Sequence, residues 1–276
     1  MLSLVVTVPA GEVELASDAL WALGVVAIEE RTPEGTPQTE DHLVELWTSL
    51  GEDVEAITRA AEAFPARWRW RTVSIDPAVV ETWRAHAVPS WVDDGLVVVP
   101  AWLAVETPPD ALRVDIDPGA AFGLGDHPTT VLSLRLLRRL MWPGATVLDV
   151  GCGSGVLSVV AAKLGAPYVE AIDISTAAVE ATTANAERNG VGGVVSAATC
   201  GLADVDGPFD VVLANLLAPI LVELAADLRR ATAPGGALVI SGILTDRHEH
   251  VLAALAPMVV VETATRDHWA AVLLRH

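Results

Sequence analysis

The sequence predicts an α/β protein in which a smaller ferredoxin-like α+β domain precedes a larger Rossmann-like domain with a seven-stranded sheet. The first 75 residues read as β-α-β-β-α-β, which is the ferredoxin-like split motif. After Asp117, strands and helices alternate strictly, which is typical of parallel strands joined by right-handed crossovers. A chain of 276 residues, 52% of them hydrophobic, is long and apolar enough to form two cores.

The elements of the N-terminal domain follow from hydrophobic periodicity. Alternating apolar residues predict strands, and apolar residues three and four positions apart predict helices, which Gly24 and Pro65 end. The predicted strands cover 2–8, 25–29, 43–48 and 67–75, and the predicted helices cover 11–23 and 52–64.

Residues 76–109 read as a linker region with a small hairpin of its own. A short helix is predicted over 80–86 and a strand over 96–99, and prolines interrupt the chain after that strand. We therefore expect a domain over 1–75, the linker over 76–109 and the larger domain over 110–276.

In the larger domain, a glycine-rich loop over 117–130 leads into a helix that ends at Leu140. Two strand-like runs close the chain, and only three residues separate them. They must therefore insert one antiparallel strand into the sheet. The predicted strands cover 145–150, 168–173, 194–198, 209–214, 236–242, 258–264 and 268–274, and the predicted helices that alternate with them cover 156–165, 176–189, 218–232 and 245–256.

Composition excludes several classes of protein. The 17 basic and 36 acidic residues give a net charge of −19, which argues against tight binding to nucleic acid or to an anionic membrane. No apolar run is long enough for a transmembrane helix, and the N-terminus lacks the positive region of a signal peptide. The cysteines, Cys152 and Cys200, have no metal-binding spacing, so we expect no metal site and a protein of the reducing cytoplasm.

A glycine-rich turn over 151–155 follows the apolar strand that ends at Val150. Gly151, Gly153 and Gly155 would let a ligand approach the backbone at the carboxyl end of a central parallel strand. A G-x-G-x-G turn alone is weak evidence, because a tight strand-to-helix turn without a ligand has the same pattern.

Two polar side chains at the tips of later strands strengthen the case for a ligand. Asp173 ends the next strand, 22 residues after Gly151, where a carboxylate can accept hydrogen bonds from ribose hydroxyls. Asn215 ends the fourth strand and is expected at the same crevice. Each has a simpler alternative, because Asp173 and Asn215 could also cap the helices that follow them.

Both a dinucleotide and S-adenosylmethionine fit this pattern. The third glycine, Gly155, comes one residue earlier than in the dinucleotide fingerprint G-x-G-x-x-G. The closing hairpin also differs from the usual six parallel strands of a dinucleotide fold. Both differences favour S-adenosylmethionine, which has no pyrophosphate.

These motifs, in order and spacing, resemble the bacterial ribosomal protein L11 methyltransferases (PrmA type). The resemblance covers essentially all of residues 114–276, whereas the N-terminal region matches in predicted topology more than in residues. Leu124 and Asp126 depart from the usual family loop. The matching segments are 117–130, 147–155, 172–174, 185–190, 214–218 and 241–244.

The resemblance implies a substrate-recognition domain joined by a flexible linker to a class I methyltransferase domain. It implies an S-adenosylmethionine-dependent protein-lysine and amine N-methyltransferase that acts on lysine side chains and the N-terminal amine of ribosomal protein L11. The implied contacts to the cofactor are Thr130, Gly151, Gly153, Asp173 and Asn215.

Methyl transfer to nitrogen needs a neutral amine in line with the S–CH₃ bond. The Asn215 side chain and the Leu216 carbonyl are the predicted catalytic groups, because they can hold the N–H groups of the amine. We assign no general base.

Three alternatives stay open at this stage. The same chemistry could act on another protein, the domain could be a nicotinamide oxidoreductase, or it could be a binding module without activity.

Arginines and tryptophans alternate over 67–71, which suggests a packed strand more than a binding site for single-stranded RNA. The expected partner is therefore L11 free of RNA.

Overall fold

The chain forms two compact units in a computed structural model, Met1–Ala87 and Val88–His276. Helices and strands follow the hydrophobic patterns of the sequence in both units. The residues that the structure describes are 2–21, 28–32, 42–49, 58–59, 61–74, 84, 87–119, 121, 123–246 and 248–276.

The first unit contains an antiparallel four-stranded sheet with the order β2-β3-β1-β4. In the chain, the helix α1 lies between β1 and β2. In the sheet, β3 lies between these two strands, which is the split arrangement of the ferredoxin-like motif. Most of the predicted second helix, over 52–64, and the predicted helix over 80–86 lie outside the described residues. The elements are β1 Leu2–Pro9, α1 Val13–Trp21, β2 Ile28–Arg31, β3 Leu43–Ser49 and β4 Arg69–Ser74.

The alternation of arginine and tryptophan separates a buried face from a solvent face. Trp68 is 5% exposed and packs in the core of the first unit with residues of β1 and α1. Arg67 forms an ion pair with Glu12 at 2.8 Å, and Arg71 forms one with Glu45 at 2.9 Å. The packing interpretation of this segment therefore agrees with the structure.

The second unit begins with a three-stranded sheet, β5-β6-β7. The predicted hairpin is present as the antiparallel pair β5–β6, and β7 adds in parallel to β6. Residues 88–109 therefore fold with the second unit, although the sequence placed 76–109 in a linker. The reason is burial, because all of β6 is buried and Leu96 and Val98 belong to the main core. The strands are β5 Ser90–Asp93, β6 Leu96–Pro100 and β7 Leu112–Ile116.

The seven-stranded sheet has the order β10-β9-β8-β11-β12-β14-β13. The first five of these strands pair in parallel, and β14 is antiparallel to both β12 and β13. This confirms the predicted Rossmann-like sheet. Its strands are β8 Val147–Val150, β9 Val169–Asp173, β10 Val195–Thr199, β11 Phe209–Asn215, β12 Thr232–Leu244, β13 Val259–Arg266 and β14 Trp269–Arg275.

Helices pack against both faces of this sheet and produce two hydrophobic clusters. The segment predicted as one helix over 218–232 forms two helices that meet at Leu224. The helix predicted over 245–256 is shorter. The helices are α2 Pro128–Leu140, α3 Val156–Lys163, α4 Thr176–Arg188, α5 Ala218–Glu223, α6 Ala225–Ala231 and α7 Glu249–Ala254.

The chain winds outward from β8 through β9 to β10 and then returns to the other side of β8 with β11. The strand order therefore reverses between β8 and β11, and a crevice forms at the carboxyl ends of such strands. No helix within the described parts of the chain is long and apolar enough to span a membrane.

Candidate cofactor and active site

The turn after β8 needs glycine at its first position. Gly151 has φ +72°, and a Cβ atom there would lie 2.4 Å from Leu216 Cδ2. The Gly151 and Cys152 N–H groups both donate to the Ile172 carbonyl, at 2.8 and 3.0 Å. These bonds hold the turn against the end of β9, and the Leu216 side chain occupies the space that a side chain at residue 151 would need.

Asp173 ties the end of β9 to the glycine turn. Its Oδ2 accepts a hydrogen bond from the Gly153 N–H at 3.0 Å, and its Oδ1 accepts one from the Ser175 N–H at 2.9 Å. Each carboxylate oxygen keeps acceptor capacity for a second donor. The helix-end role and ligand binding are therefore compatible at this half-buried carboxylate.

Asn215 lies beside the glycine turn. Ala214 pairs with Val150 in the parallel register of β11 and β8, so the next residues along the two strands, Asn215 and Gly151, are neighbours. Asn215 Nδ2 lies 3.4 Å from Thr130 Oγ1, in the first turn of α2. The capping alternative fails here, since Leu217 is the N-cap of α5 and no side chain caps that helix.

Leu216 is fixed between two glycines. Its N–H donates to the Ser241 carbonyl at 3.1 Å, and its side chain lies against Gly151. Gly242 has φ +85°, and a Cβ atom there would lie 2.3 Å from the Leu216 carbonyl oxygen. A side chain at residue 242 would therefore collide with the carbonyl that we expect to hold the amine.

The predicted residues thus form one connected group. Thr130 contacts Asn215, Asn215 adjoins Gly151, and Gly153 bonds to Asp173. A carboxylate, a glycine-rich backbone turn and an amide at one crevice are groups that suit an adenine nucleoside with a polar tail.

A protein-family model described as ribosomal protein L11 methyltransferase (PrmA) matches residues 2–276. The chain belongs to this family. The family resemblance that the sequence motifs indicated is thereby confirmed. The match also extends that resemblance over the N-terminal unit.

Individual relatives carry the same description. The chain is 41% identical to a ribosomal protein L11 methyltransferase of Symbiobacterium thermophilum over 211 residues, which cover 76% of this chain and 68% of that protein. It is 38% identical to one of Pelotomaculum thermopropionicum over 253 residues, which cover 90% and 82%. The alignments with relatives from Citrifermentans bemidjiense and Geobacter metallireducens span only 65% and 64% of those proteins' lengths.

A solved structure shares the fold. The crystal structure of ribosomal protein L11 methylase from Lactobacillus delbrueckii subsp. bulgaricus is 34% identical, with a TM-score of 0.64. The superposition covers 68% of this chain and 99% of that chain. The methyltransferase assignment of the larger domain therefore rests on both sequence and structure.

In this member of the L11 methyltransferase family, His127 and Trp269 form an aromatic pair at the start of α2. Their ring centroids are 5.1 Å apart in an edge-to-face arrangement. His127 Nδ1 accepts a hydrogen bond from the Thr129 N–H at 3.3 Å and is the N-cap of α2. Burial lowers the pKa of His127, and the nearby Asp126 opposes this effect. The imidazole is therefore neutral at neutral pH.

Asp149 is a second carboxylate near the glycine turn, and the sequence analysis did not single it out. It is 1% exposed, and its Oδ2 accepts hydrogen bonds from the Ser158 N–H at 3.1 Å and the Ser158 Oγ–H at 2.5 Å. Burial raises the pKa of Asp149 to about 6. The contact ties β8 to α3 below the turn.

The two cysteines play no part in the chemistry that we assign. Burial raises the pKa of the Cys152 thiol and, to a smaller extent, that of the Cys200 thiol. Thiols of this kind are poor nucleophiles. Among the residues that the structure describes, no group of three His, Cys, Asp or Glu side chains is placed to hold a metal ion.

Ser154 and Asn185 are further polar residues at the turn whose roles the sequence did not reveal. Ser154 Oγ donates to the Gly123 carbonyl at 2.5 Å, and Asn185 Nδ2 donates to the Ser154 carbonyl at 2.8 Å. Asn185 lies in the family-like segment 185–190, which was the available signal, but the pattern alone does not indicate the partner.

Proposed function

We propose that this chain transfers methyl groups from S-adenosylmethionine to lysine side chains and the N-terminal amine of ribosomal protein L11. The observation that carries the proposal is the contact of Asn215 with Thr130 beside the Gly151 turn, in a chain that matches the L11 methyltransferase family over 2–276. The predicted enzyme class and cofactor agree with that family match.

Residues at the carboxyl ends of three strands, β8, β9 and β11, would hold the cofactor in the crevice. The Asp173 carboxylate would accept hydrogen bonds from the ribose hydroxyls, and the Gly151 and Gly153 backbone would allow close approach. Thr130 and Asn215 would contact the methionine end. The cofactor supplies a sulfonium-bound methyl group that is already strongly electrophilic.

The protein must then present an uncharged nitrogen, because a lysine amine has a pKa of about 10.4 and is protonated at neutral pH. Asn215 uses Nδ2 toward Thr130, which leaves its Oδ1 to accept an N–H from the amine. The Leu216 carbonyl would accept a second N–H. These acceptors would aim the lone pair along the methyl–sulfur axis.

Apolar surroundings favour loss of the proton from the amine. The Leu216 side chain lies against Gly151, and the His127 ring, just before the first turn of α2, packs on Trp269. These groups would limit access of water to the amine. Desolvation disfavours the ammonium form. We assign no general base, so the proton leaves to solvent before transfer.

We propose that residues 1–75 recognise the substrate protein and that the substrate is L11 free of RNA, in the cytoplasm. The support is electrostatic, since a chain with a net charge of −19 attracts a basic protein and repels RNA phosphates. Such an enzyme would need neither nucleic acid nor a membrane as a partner.

Amine methylation of a different protein is the second candidate. Leu124 and Asp126 replace the residues that are usual in the family loop, and this loop contacts the glycine turn through Gly123. The difference could alter which amine enters the crevice without altering the reaction.

The test is transfer of a labelled methyl group from S-adenosylmethionine to purified L11, followed by mass spectrometry of the labelled peptides. An unrelated basic ribosomal protein is the control for substrate identity, and the Asn215→Ala variant is the control for the site. Label on L11 amines that Asn215→Ala strongly reduces supports the proposal. Label on the control protein alone favours the second candidate, and binding of NAD without methyl transfer would indicate an oxidoreductase.

A further inference from the structure

Two asparagines four positions apart bond to the outer edge of β7 and its continuation. Asn185 lies in the last turn of α4, and Asn189 is the C-cap residue of that helix. Asn189 accepts from the Asp115 N–H at 2.9 Å and donates to the Asp115 carbonyl at 2.7 Å. Asn185 accepts from the Asp117 N–H at 3.0 Å and donates to the Asp117 carbonyl at 2.9 Å. Each amide thus makes the pair of hydrogen bonds that a neighbouring strand would make.

Asn185 differs from Asn189 in a second contact, because it also reaches the cofactor turn. Its Nδ2 donates to the Ser154 carbonyl at 2.8 Å, and its Oδ1 accepts a further bond from Arg188. The side chain is fully buried, and its two donors and two acceptor positions are all used. Asn185 therefore joins Asp117, at the start of the glycine-rich loop, to the residue between Gly153 and Gly155.

Ser154 completes a second connection to the same loop. Its hydroxyl donates to the Gly123 carbonyl at 2.5 Å. Gly123 has φ +104°, and a Cβ atom there would lie 3.1 Å from Ser154 Oγ, so the two segments approach closely. Ser154 thereby holds the loop at two places. Its carbonyl is joined to Asp117 through the Asn185 side chain, and its hydroxyl bonds directly to Gly123.

We infer that Asn185 is a positioning residue that acts through Ser154 to set the glycine-rich loop against the cofactor turn, and that this contact sets the affinity for the cofactor. The inference rests on the proposed function only in taking S-adenosylmethionine and its demethylated product, S-adenosylhomocysteine, as the ligands. Asn185 is fully buried and would not itself reach the ligand. It fixes the backbone of the turn that does, and loss of such support leaves a binding site present but loose.

The competing explanation is that Asn185 only holds β7 in place. Asn189 provides the matched control, because it makes an equivalent pair of bonds to Asp115 of β7 and none to the glycine turn. Its further bond goes to the Asn185 carbonyl at 2.8 Å, which the Asn185→Ala variant keeps. A purely architectural role predicts the same effect for both asparagines. Positioning predicts that only loss of Asn185 changes ligand affinity.

The experiment measures the Kd of S-adenosylhomocysteine by titration calorimetry for full-length wild type, Asn185→Ala, Asn189→Ala and Ser154→Ala, with the Tm of each free protein. We expect Asn185→Ala to weaken binding about tenfold, which corresponds to one or two lost buried hydrogen bonds. Ser154→Ala should weaken it several-fold, and Asn189→Ala should lower Tm with unchanged Kd. With S-adenosylmethionine and L11, Asn185→Ala should raise the KM for the cofactor more than it lowers kcat.

Equal Kd for wild type and Asn185→Ala, or an equal loss in Asn189→Ala, would overturn the inference. If Asn185→Ala does not fold, Ser154→Ala decides, because it removes only the buried hydroxyl that bonds to the Gly123 carbonyl. An unchanged Kd in that variant would then overturn the inference. If the wild type does not bind S-adenosylhomocysteine, both the inference and the proposed function fail. If it binds and Kd does not depend on Asn185, the inference alone fails.

Discussion

Asn215 and Thr130 meet across the crevice, with Asn215 Nδ2 at 3.4 Å from Thr130 Oγ1, although 85 positions separate them in the chain. The contact joins the end of β11 to the first turn of α2. In this arrangement the amide nitrogen faces Thr130 and the oxygen stays available. The proposed role of Asn215 in holding the amine depends on this orientation.

Replacement of Asn215 by alanine should slow methyl transfer by about 10²-fold at saturating substrates, because the amine loses an acceptor that orients it. The measurement is kcat with labelled cofactor and free L11. Thr130→Val is the comparison. It should lower kcat less, because it removes the hydroxyl that contacts the Asn215 amide and leaves that amide in place. An unchanged kcat in Asn215→Ala would leave Asn215 without a catalytic role.

Replacement of Asp173 by alanine should weaken binding of S-adenosylhomocysteine on the order of 100-fold or more, since two charge-assisted hydrogen bonds of roughly 1.5–3 kcal/mol each are lost. The Gly153 N–H also loses its partner, which adds to the effect. Titration calorimetry gives the Kd. Asp227→Ala, which removes an exposed carboxylate paired with Arg230, controls for the change in net charge.

The boundary between the two units predicts which fragment folds. A fragment over 88–276 should bind S-adenosylhomocysteine as the full chain does but should not methylate L11, because it lacks the proposed recognition domain. A fragment over 110–276 should fail to fold, since it would lack β5 and β6 and leave β7 without a strand partner. Calorimetry and heat denaturation of both fragments test this. Full methylation of L11 by 88–276 would refute the division of roles.

Asp149 should make stability depend on pH. Its pKa of about 6 in the folded protein exceeds the model-compound value of 3.8, so the folded state binds this proton more tightly than the unfolded chain. The resulting stabilisation is fully present below the unfolded pKa and is lost as the pH rises through the folded pKa. Between pH 5 and pH 8 this loss should be about 1–2 kcal/mol.

The Asp149→Asn variant isolates this effect, because the amide oxygen can still accept from Ser158 while the charge is absent. Its free energy of unfolding in urea should fall less than that of the wild type between pH 5 and pH 8. Parallel pH profiles for the two proteins would mean that Asp149 does not titrate in this range.

Electrostatics should favour the free substrate. Added salt should lower kcat/KM for free L11, because screening weakens the attraction between the acidic enzyme and a basic protein. Initial methylation rates on free L11 and on L11 bound to its RNA give the decisive comparison. Equal or faster methylation of the RNA-bound form would indicate that local charges, such as those of Arg67 and Arg71, outweigh the net charge.

Much of the larger domain could be predicted because its parallel strands are buried on both faces and stand out as apolar runs, such as Val147–Val150. The placement of Gly151, Asp173 and Asn215 at one edge of the sheet could be predicted for the same reason. Once the strands are known to be parallel, their carboxyl ends meet at one edge, and polar residues at those ends must be neighbours.

Contacts that depend on how loops return to the sheet could not be predicted. β7 carries Arg113 and Asp115 on a five-residue strand, so its pattern is weak. Its outer edge is satisfied by Asn185 and Asn189, side chains 68 to 74 positions away. The contact of Ser154 with Gly123 likewise depends on a loop conformation with positive φ, which no local apolar pattern encodes.

The amide pair of Asn185 and Asn189 also bears on the solubility of the protein. An open strand edge offers unpaired N–H and C=O groups on which another chain can assemble. At Asp115 and Asp117, these two side chains, at the end of α4, already occupy the backbone groups, with bonds of 2.7 to 3.0 Å. The two asparagines thus close this edge against intermolecular β-pairing. Asn185, which also bonds to Ser154 in the glycine turn, would therefore help to protect the folded chain from aggregation at β7.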